Sequence, residues 1–141
     1  MQNFAMMRRI PRMTVQRRLV LEVLRREGRP LSAKEIHRSI RQRLPKVSLE
    51  TVYRTLNLFV AQGMAAAIYI PGGSTRYVHV AGGSSRPYFV CLRCGALEPL
   101  PRELAPSAGV LTSFREKGME VTGYSYVVYG ICRRCRGGEE G

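Results

Sequence analysis

The 141-residue sequence contains no aspartate and only two histidines, His37 and His79, so all ten of its acidic residues are glutamates. Aspartate and histidine supply many of the side chains that transfer protons or bind metals in enzymes. Their scarcity limits any proposal of acid–base chemistry or of a metal site that uses these two residue types. The sequence also contains no nucleophile–base pair and no phosphate-binding loop motif, so we expect no catalytic residues and no enzymatic activity.

Long hydrophobic runs are absent as well. No segment reaches the length of a membrane-spanning helix, and the first twelve residues, MQNFAMMRRIPR, have no apolar run of the kind found in secretory signals. We therefore expect a cytoplasmic protein with no membrane partner. A hydrophobic content of 45% is nevertheless sufficient for a folded core.

Positive charge is abundant and unevenly distributed. Residues 1–80 contain 15 lysines or arginines and four glutamates, a net charge of +11, whereas residues 81–141 have a net charge of only +2. A basic half within a globular chain indicates a polyanionic partner, and nucleic acid is the most common one. An anionic membrane surface is the alternative, but charges interrupt the apolar faces of the predicted helices.

Three short helices with tight connections are predicted in the basic half. The first helix follows Thr14 and ends at Gly28, and the second begins with the capping-box spacing of Ser32 and Glu35. The third is predicted over 48–63, with an inner face at helical spacing formed by Leu49, Val52, Leu56, Phe59 and Val60.

Another face of the third helix carries Tyr53, Arg54 and Asn57 within one turn of each other. An aromatic residue, an arginine and an amide side by side are typical of a helix that reads the DNA major groove. An ordinary amphipathic helix with a solvated face is the alternative. The position of this helix as the third of a helical group favours the first interpretation.

Alternating residues at 65–70 and 75–80, on either side of a PGGS turn, predict a β-hairpin with Arg76 near its turn, where it could contact a phosphate. Three helices followed by a hairpin predict a winged-helix DNA-binding domain over 1–82. A Gly/Ser-rich linker is expected at 83–87, followed by a small α/β dimerisation domain over 88–141. In that second domain we predict strands at 88–90 and around Leu97, a helix over 102–117 and a long strand over 119–132. The predicted fold class is therefore α+β.

All four cysteines lie in the second half as two C-x-x-C pairs, Cys91 with Cys94 and Cys132 with Cys135. Two such pairs match a tetrahedral site for one structural Zn²⁺ per chain. Two disulfides are disfavoured in a cytosolic protein, and a redox dithiol would not need a second identical pair. Four protein ligands leave zinc no open coordination position, so catalysis by the ion is not expected.

The sequence resembles the ferric uptake regulator family over nearly its whole length. The segments that carry the resemblance are MTVQRRLVLEVL at 13–24, SAKEIHRSI at 32–40, SLETVYRTLNLFVAQGM at 48–64, STRYVHV at 74–80, CLRCG at 91–95 and YGICRRC at 129–135. The resemblance implies a bacterial homodimeric repressor with an N-terminal winged helix and a C-terminal dimerisation domain, which usually senses a metal or peroxide.

Roles for individual residues follow from the resemblance. It implies that Tyr53 and Arg54 contact DNA, that Arg12 enters the minor groove and that the four cysteines are the structural zinc ligands. We predict that the DNA-binding residues are Arg12, Arg17, Thr51, Tyr53, Arg54, Asn57 and Arg76. Two-fold symmetry predicts a pseudo-palindromic double-stranded operator.

The sequence departs from the family at the positions that usually sense metal. Pro30, Val78, Arg86, Tyr88 and Pro99 stand where family members have histidine or carboxylate ligands. None of these five side chains supplies an imidazole or a carboxylate, so we expect the ordinary regulatory site to be absent. A different second site built from His37, His79 and Glu98 stays open.

Two other functions remain as alternatives. One is a redox-responsive zinc–thiolate regulator, whose four-cysteine site releases metal on oxidation. The other is an architectural protein that binds nucleic acid without sequence preference through its basic half.

Overall fold

The computed structural model describes residues 11–81 and 85–137. Residues 1–10, which include Arg8 and Arg9, therefore lie outside the described residues. Positions 82–84, which include the start of the predicted linker, and the last four residues also lie outside them. Among the described residues, no helix has the length and apolar character needed to cross a membrane.

Three capped helices form the first half, as the sequence predicts. Helix α1 spans Val15–Glu27 and ends at Gly28, which adopts a left-handed conformation with φ 64°. Helix α2 spans Ala33–Ile40 and begins with a complete capping box, in which the Ser32 N–H donates to Glu35 Oε1 at 2.8 Å and the Glu35 N–H donates to Ser32 Oγ at 3.2 Å. Helix α3 spans Leu49–Ala61 and is capped by Ser48 Oγ, which accepts the Thr51 N–H at 3.1 Å. Each cap satisfies a backbone donor at a helix start, where no intrahelical partner exists.

The core of this half lies between the three helices. On α3, Val52, Leu56 and Phe59 are completely buried, while Leu49 and Val60 are half-buried and pack against the same cluster. The predicted inner face of the third helix is thus confirmed. Burial of this face leaves the opposite side of α3 exposed.

A three-stranded antiparallel sheet completes the winged helix. Strand β2 spans Ala65–Ile68, β3 spans Arg76–His79 and β1 is only Leu31–Ser32, in the order β1-β3-β2. The predicted hairpin of β2 and β3 is confirmed, with Ala66 opposite Val78. Strand β1 is not predicted from the sequence, because two residues are too few to show an alternating pattern.

A second three-stranded sheet forms the other half, in the order β5-β4-β6. Strand β4 spans Tyr88–Cys91, β5 spans Leu97–Pro99 and β6 spans Val127–Gly130; β4 and β5 are antiparallel, whereas β4 and β6 are parallel. A short 3₁₀ helix at Arg102–Leu104, helix α4 at Ala108–Glu116 and the single turn α5 at Arg133–Arg136 complete this half.

Two predicted elements of this half were too long. The helix expected over 102–117 is interrupted before Pro106, which disfavours helical geometry at the preceding residue, and α4 begins after Ser107, whose Oγ accepts the Val110 N–H at 3.3 Å. The strand expected over 119–132 is a strand only at Val127–Gly130.

The segment before β6 crosses the first half instead of joining a sheet. Thr122 Oγ1 donates to the Ala61 carbonyl, Ser125 Oγ donates to the Ala67 carbonyl and Tyr129 Oη donates to the Tyr69 carbonyl, each at 2.7 Å. The first two hydroxyl groups bind carbonyl oxygens at the end of α3 and in β2, which explains why the segment before β6 is not a strand. Tyr129 lies within β6 itself and binds the carbonyl of the residue just after β2.

A second hydrophobic cluster joins the two sheets. It combines residues of the hairpin, including Ile68 and Val78, with Tyr88 and Val90 of β4. Ser85, in the predicted linker, is only 4% exposed, and Pro87 is also buried. The chain on both sides of the predicted linker therefore contributes to this second cluster, while the division at 82 and 88 stays a prediction.

Candidate nucleic-acid interface and metal centre

The outer face of α3 presents the three polar side chains that the sequence analysis identified. Tyr53 is 40% exposed, and Arg54 and Asn57 are exposed as well. The buried inner face holds the helix against the core, so these side chains extend from a rigid element. A helix end on rigid support is well suited to positioning side chains against base edges.

A groove of about 640 Å³ runs between the start of α1 and the outer face of α3. Arg17, Thr51, Arg54 and Asn57 line it. Thr51 Oγ1 accepts hydrogen bonds from Ser48 Oγ at 2.9 Å and from Arg54 Nη2 at 3.4 Å, which orients the arginine along the helix.

Arg12 joins the same end of the molecule through its backbone. Arg17 Nη1 donates to the Arg12 carbonyl at 2.9 Å, so the segment before α1 is attached to the groove. Thr14 and Gln16 also line the groove, although the sequence analysis did not assign either to DNA binding. Their only sequence signal was their position beside Arg17 at the start of α1.

Arg76 lies apart from this groove. Its Nη1 is 3.9 Å from Glu35 Oε1, and its side chain lines a different cavity between the two halves of the chain. The structure thus groups Arg17, Thr51, Arg54 and Asn57 around one groove, with Tyr53 on the same helix as Arg54 and the Arg12 carbonyl bonded to Arg17. The phosphate contact expected of Arg76 stays a prediction and receives no support from this geometry.

The four cysteines meet at one end of the second sheet. Cys91 ends β4, Cys94 follows in the next turn, and Cys132 and Cys135 flank the start of α5. All four Sγ atoms lie within 4.8 Å of one another, and the Sγ atoms of Cys94 and Cys132 are 3.8 Å apart. Residues separated by about 40 positions in the sequence therefore form one cluster of thiols.

Backbone N–H groups make the thiols of this cluster unequal. The N–H groups of Cys94 and Cys132 donate to Cys91 Sγ at 3.4 Å and 3.3 Å, and these hydrogen bonds lower the pKa of Cys91 to about 5. Burial and the neighbouring thiols raise the pKa of Cys135 to about 12. Four sulfurs held this close cannot all be thiolates without a cation to balance their charge.

The cluster fits a tetrahedral metal ion. Zinc–sulfur bonds of about 2.3 Å in a tetrahedron place the sulfur atoms about 3.8 Å apart, which is the separation between Cys94 and Cys132. Arg93 Nη1 donates to the Cys135 carbonyl at 3.3 Å, which brings a positive charge beside the sulfurs. The four cysteines can therefore hold a metal ion.

The described residues contain no other group of three or more histidine, cysteine or acidic side chains close enough to hold a metal. The second site considered from His37, His79 and Glu98 is thus not brought together. The His37 imidazole already has a hydrogen-bond partner, because its Nε2 donates to the Val47 carbonyl at 2.8 Å.

Comparison with known proteins identifies the family to which this chain belongs. A family model described as the ferric uptake regulator family matches residues 10–123. The chain belongs to the ferric uptake regulator family. This family consists of transcription regulators that bind DNA and is not a class of enzymes.

Individual members resemble the chain over most of its length. The ferric uptake regulation protein of Bacillus subtilis is 28% identical over 131 residues, covering 91% of this chain and 87% of that protein. The peroxide operon regulator of the same organism is 27% identical over 128 residues, covering 88% and 83%.

The solved structure of the Helicobacter pylori ferric uptake regulator Fur, described as having three functional metal binding sites, matches with a TM-score of 0.61 and 25% identity. The match covers 86% of this chain and 82% of that one. The resemblance inferred from the sequence is confirmed.

Proposed function

We propose that this member of the ferric uptake regulator family is a homodimeric transcriptional repressor that binds a pseudo-palindromic DNA operator. Each chain holds one structural Zn²⁺ and lacks the conventional metal-sensing site. The observation that carries the proposal is the outer face of α3, where Tyr53, Arg54 and Asn57 are exposed on a helix whose inner face is completely buried.

The DNA contacts divide into readout and positioning. Tyr53 packs against a thymine methyl group, while Arg54 and Asn57 contact base edges or phosphates. Arg17 and Thr51 line the groove beside them and bind phosphates, and Arg12 enters the adjacent minor groove. The net charge of +11 on residues 1–80 attracts the duplex at long range.

Unpartnered apolar residues in the second half support a homodimer. Helix α4 buries none of its residues, and its Val110 and Phe114 are 51% and 41% exposed. Val128 and Ile131, in and just after β6, are also exposed. A second copy of the chain covers these side chains and places two α3 helices against two half-sites, which is why the operator is pseudo-palindromic.

Zinc is the metal that the four cysteines suit best. Thiolate ligands at tetrahedral spacing favour Zn²⁺, and a site with four protein ligands stabilises the fold without binding substrate. Because these cysteines are free of disulfides and must stay reduced to bind metal, we also propose a cytoplasmic location.

A redox-responsive regulator is the second candidate. Cys94 is exposed and its Sγ lies 3.8 Å from that of Cys132, so an oxidant can reach this pair first. Release of zinc within minutes of adding micromolar peroxide, with loss of DNA binding, would support this candidate. Retention of zinc under the same treatment would exclude it.

The proposed function is tested by selecting duplexes from a random pool with the purified protein and measuring gel-shift affinities for the selected sequence. Replacing Arg54 with Ala is expected to reduce specific affinity by about 1–3 kcal/mol, because a base or phosphate contact is lost. Arg115→Ala, which removes the same charge from an exposed position on α4, serves as the matched control and should retain affinity.

Two results would contradict the proposal. If wild type and Arg54→Ala bind the selected duplex with equal affinity, α3 does not recognise the DNA sequence as proposed. Failure to enrich any sequence, together with binding that collapses as salt rises and is competed by unrelated DNA or structured RNA, would instead identify an architectural protein that contacts only phosphates.

A further inference from the structure

A cavity of about 480 Å³ lies between the winged helix and the second sheet, away from α3 and from the cysteine cluster. Four arginines line it, and none of its lining residues is acidic. We call it the arginine cavity, after Arg29, Arg76, Arg86 and Arg102. Arg29 and Arg76 come from the winged helix, whereas Arg86 and Arg102 come from the chain on either side of β4 and β5.

Nearby carboxylates neutralise only half of this charge. Arg29 Nε is 3.4 Å from Glu27 Oε1, and Arg76 Nη1 is 3.9 Å from Glu35 Oε1. On the opposite wall, Arg86 Nε donates to the Leu100 carbonyl at 3.0 Å, which is a neutral acceptor.

Among the described residues, Arg86 and Arg102 have no ion pair with a carboxylate. The opposite wall therefore carries two uncompensated positive charges. These charges face the cavity together with the arginines of the winged helix.

One donor on the side chain of a lining residue lacks an acceptor. The Nε atom of Arg76 is buried and has no hydrogen-bond partner among the residues that the structure describes. A buried polar group without a partner is unfavourable and rare in folded proteins. Arg76 is therefore a lining residue of the cavity whose hydrogen bonding is incomplete.

The Tyr88 hydroxyl adds a neutral donor to the same wall. Burial raises the pKa of Tyr88, and the positive charges of Arg86 and Arg102 partly oppose that shift. The hydroxyl is therefore protonated at neutral pH and close to both guanidinium groups. A phenol beside two guanidinium groups forms a set of donors suited to carboxylate or phosphate oxygens.

The five residues that the family resemblance predicts to replace metal ligands all meet here. Pro30, Val78, Arg86, Tyr88 and Pro99 each line the arginine cavity. Together they contribute one cation, one neutral hydrogen-bond donor and three apolar surfaces, with no carboxylate, and His79 adds the one imidazole in the lining of the cavity. A metal cation would be repelled from this set, whereas an anion would be attracted.

We propose that the arginine cavity binds a small organic anion with two or more carboxylate or phosphate groups. Its volume is within the range of small-molecule sites, and its charges come from both walls, so one ligand spans the two halves of the chain. If the proposed DNA-binding function is correct, occupancy of the cavity changes operator affinity by fixing the winged helix against the second sheet.

The binding test uses isothermal titration of the full-length, zinc-loaded protein at about physiological salt. Fructose 1,6-bisphosphate and citrate represent the phosphate and carboxylate arms, inorganic phosphate represents a single anionic group, and fructose is the neutral control. Arg86→Ala and Arg102→Ala remove the charges that have no carboxylate partner. Both side chains are exposed, so the variants should fold, and Arg115→Ala is the matched control outside the cavity.

We expect saturable binding of at least one multivalent anion with one site per chain. Each cavity variant should weaken it by about tenfold or more, because a charge-assisted contact is lost, while Arg115→Ala should not. Whichever of fructose 1,6-bisphosphate and citrate binds more tightly shows whether the ligand class is a phosphate or a carboxylate. Absence of saturable binding, equal binding of fructose, or equal weakening by Arg115→Ala would overturn the proposal.

The regulatory consequence is tested separately with the selected operator. The anion that binds should change gel-shift affinity for wild type and leave Arg102→Ala unaffected at the same concentration. Intact anion binding with no change in DNA affinity would refute the coupling between the sites. Absence of any specific DNA binding would refute the proposed function while leaving the binding result in force.

Discussion

Gly123 is the position at which the structure makes the sharpest prediction. A Cβ atom at this residue would lie 3.0 Å from Gly63 Cα and 3.4 Å from the Val60 carbonyl oxygen. Both neighbours are backbone atoms at the end of α3 and cannot rotate away. Gly123→Ala must therefore displace the segment before β6, which crosses the first half.

The size of the effect follows from what holds that segment. To reach an ordinary carbon–carbon distance, the added Cβ and Gly63 Cα must move apart by about half an ångström or more. Overpacking of this kind costs about 1–3 kcal/mol of folding stability. The hydrogen bonds of Thr122 Oγ1 to the Ala61 carbonyl and of Ser125 Oγ to the Ala67 carbonyl, both 2.7 Å, resist the displacement. For a chain of this size the melting temperature should fall by roughly 3 to 12 °C.

The assay is thermal unfolding of Gly123→Ala beside Gly109→Ala, which is the same chemical change elsewhere. A Cβ at Gly109, in the first turn of α4, would meet only Ser107 Oγ at 3.8 Å. The control should be neutral or stabilised by up to about 1 kcal/mol, because alanine favours helix more than glycine does. A Gly123→Ala variant with the same melting temperature as wild type would refute the close approach between the two halves.

Three further predictions concern the dimer, the capping box and the metal site. Phe114→Glu places a charge on the unpartnered face of α4. The mass measured by light scattering should fall from that of a dimer toward that of a single 15.9 kDa chain, and an unchanged mass would place the interface elsewhere. The Ser32 N–H, together with the charges of Arg76 and Arg29, holds the pKa of Glu35 below its ordinary range. Ionised Glu35 therefore stabilises the fold at pH values above the ordinary glutamate pKa, and this stabilisation is lost as pH falls through the lower pKa of the folded state. Glu35→Gln keeps the capping box without the charge and should lose less stability than wild type on acidification; parallel melting curves would refute this. Cys135→Ser removes a buried ligand and should reduce zinc content below one per chain by elemental analysis, whereas unchanged zinc would exclude the four-cysteine site.

The three helices of the first half were predictable because their signals are local. Thr14, Ser32 and Ser48 each bind a backbone N–H three residues later, and Gly28 ends α1 in the conformation that glycine adopts most easily. The same holds for the inner face of α3, whose spacing follows from helical geometry alone. The prediction needed no knowledge of what the helix packs against.

Elements that depend on distant partners were not predictable. Strand β1 exists because Leu31 and Ser32 pair with Tyr77 and Arg76. The segment before β6 has a strand-like sequence, yet its hydroxyl groups bind carbonyl oxygens about 60 residues earlier in the chain instead of forming a ladder. Sequence pattern describes which backbone conformation is preferred, whereas the available partner decides which hydrogen bonds form.

The candidate sites divide in the same way. The paired C-x-x-C motifs predict a shared site from the sequence alone, since the spacing itself brings two sulfurs to one point, and the grouping of Tyr53, Arg54 and Asn57 follows from one helical turn. By contrast, only the tertiary structure placed Arg76 with Arg102 in one cavity. Like charges so far apart in sequence leave no periodic signal, and their meeting depends on how the winged helix packs against the second sheet.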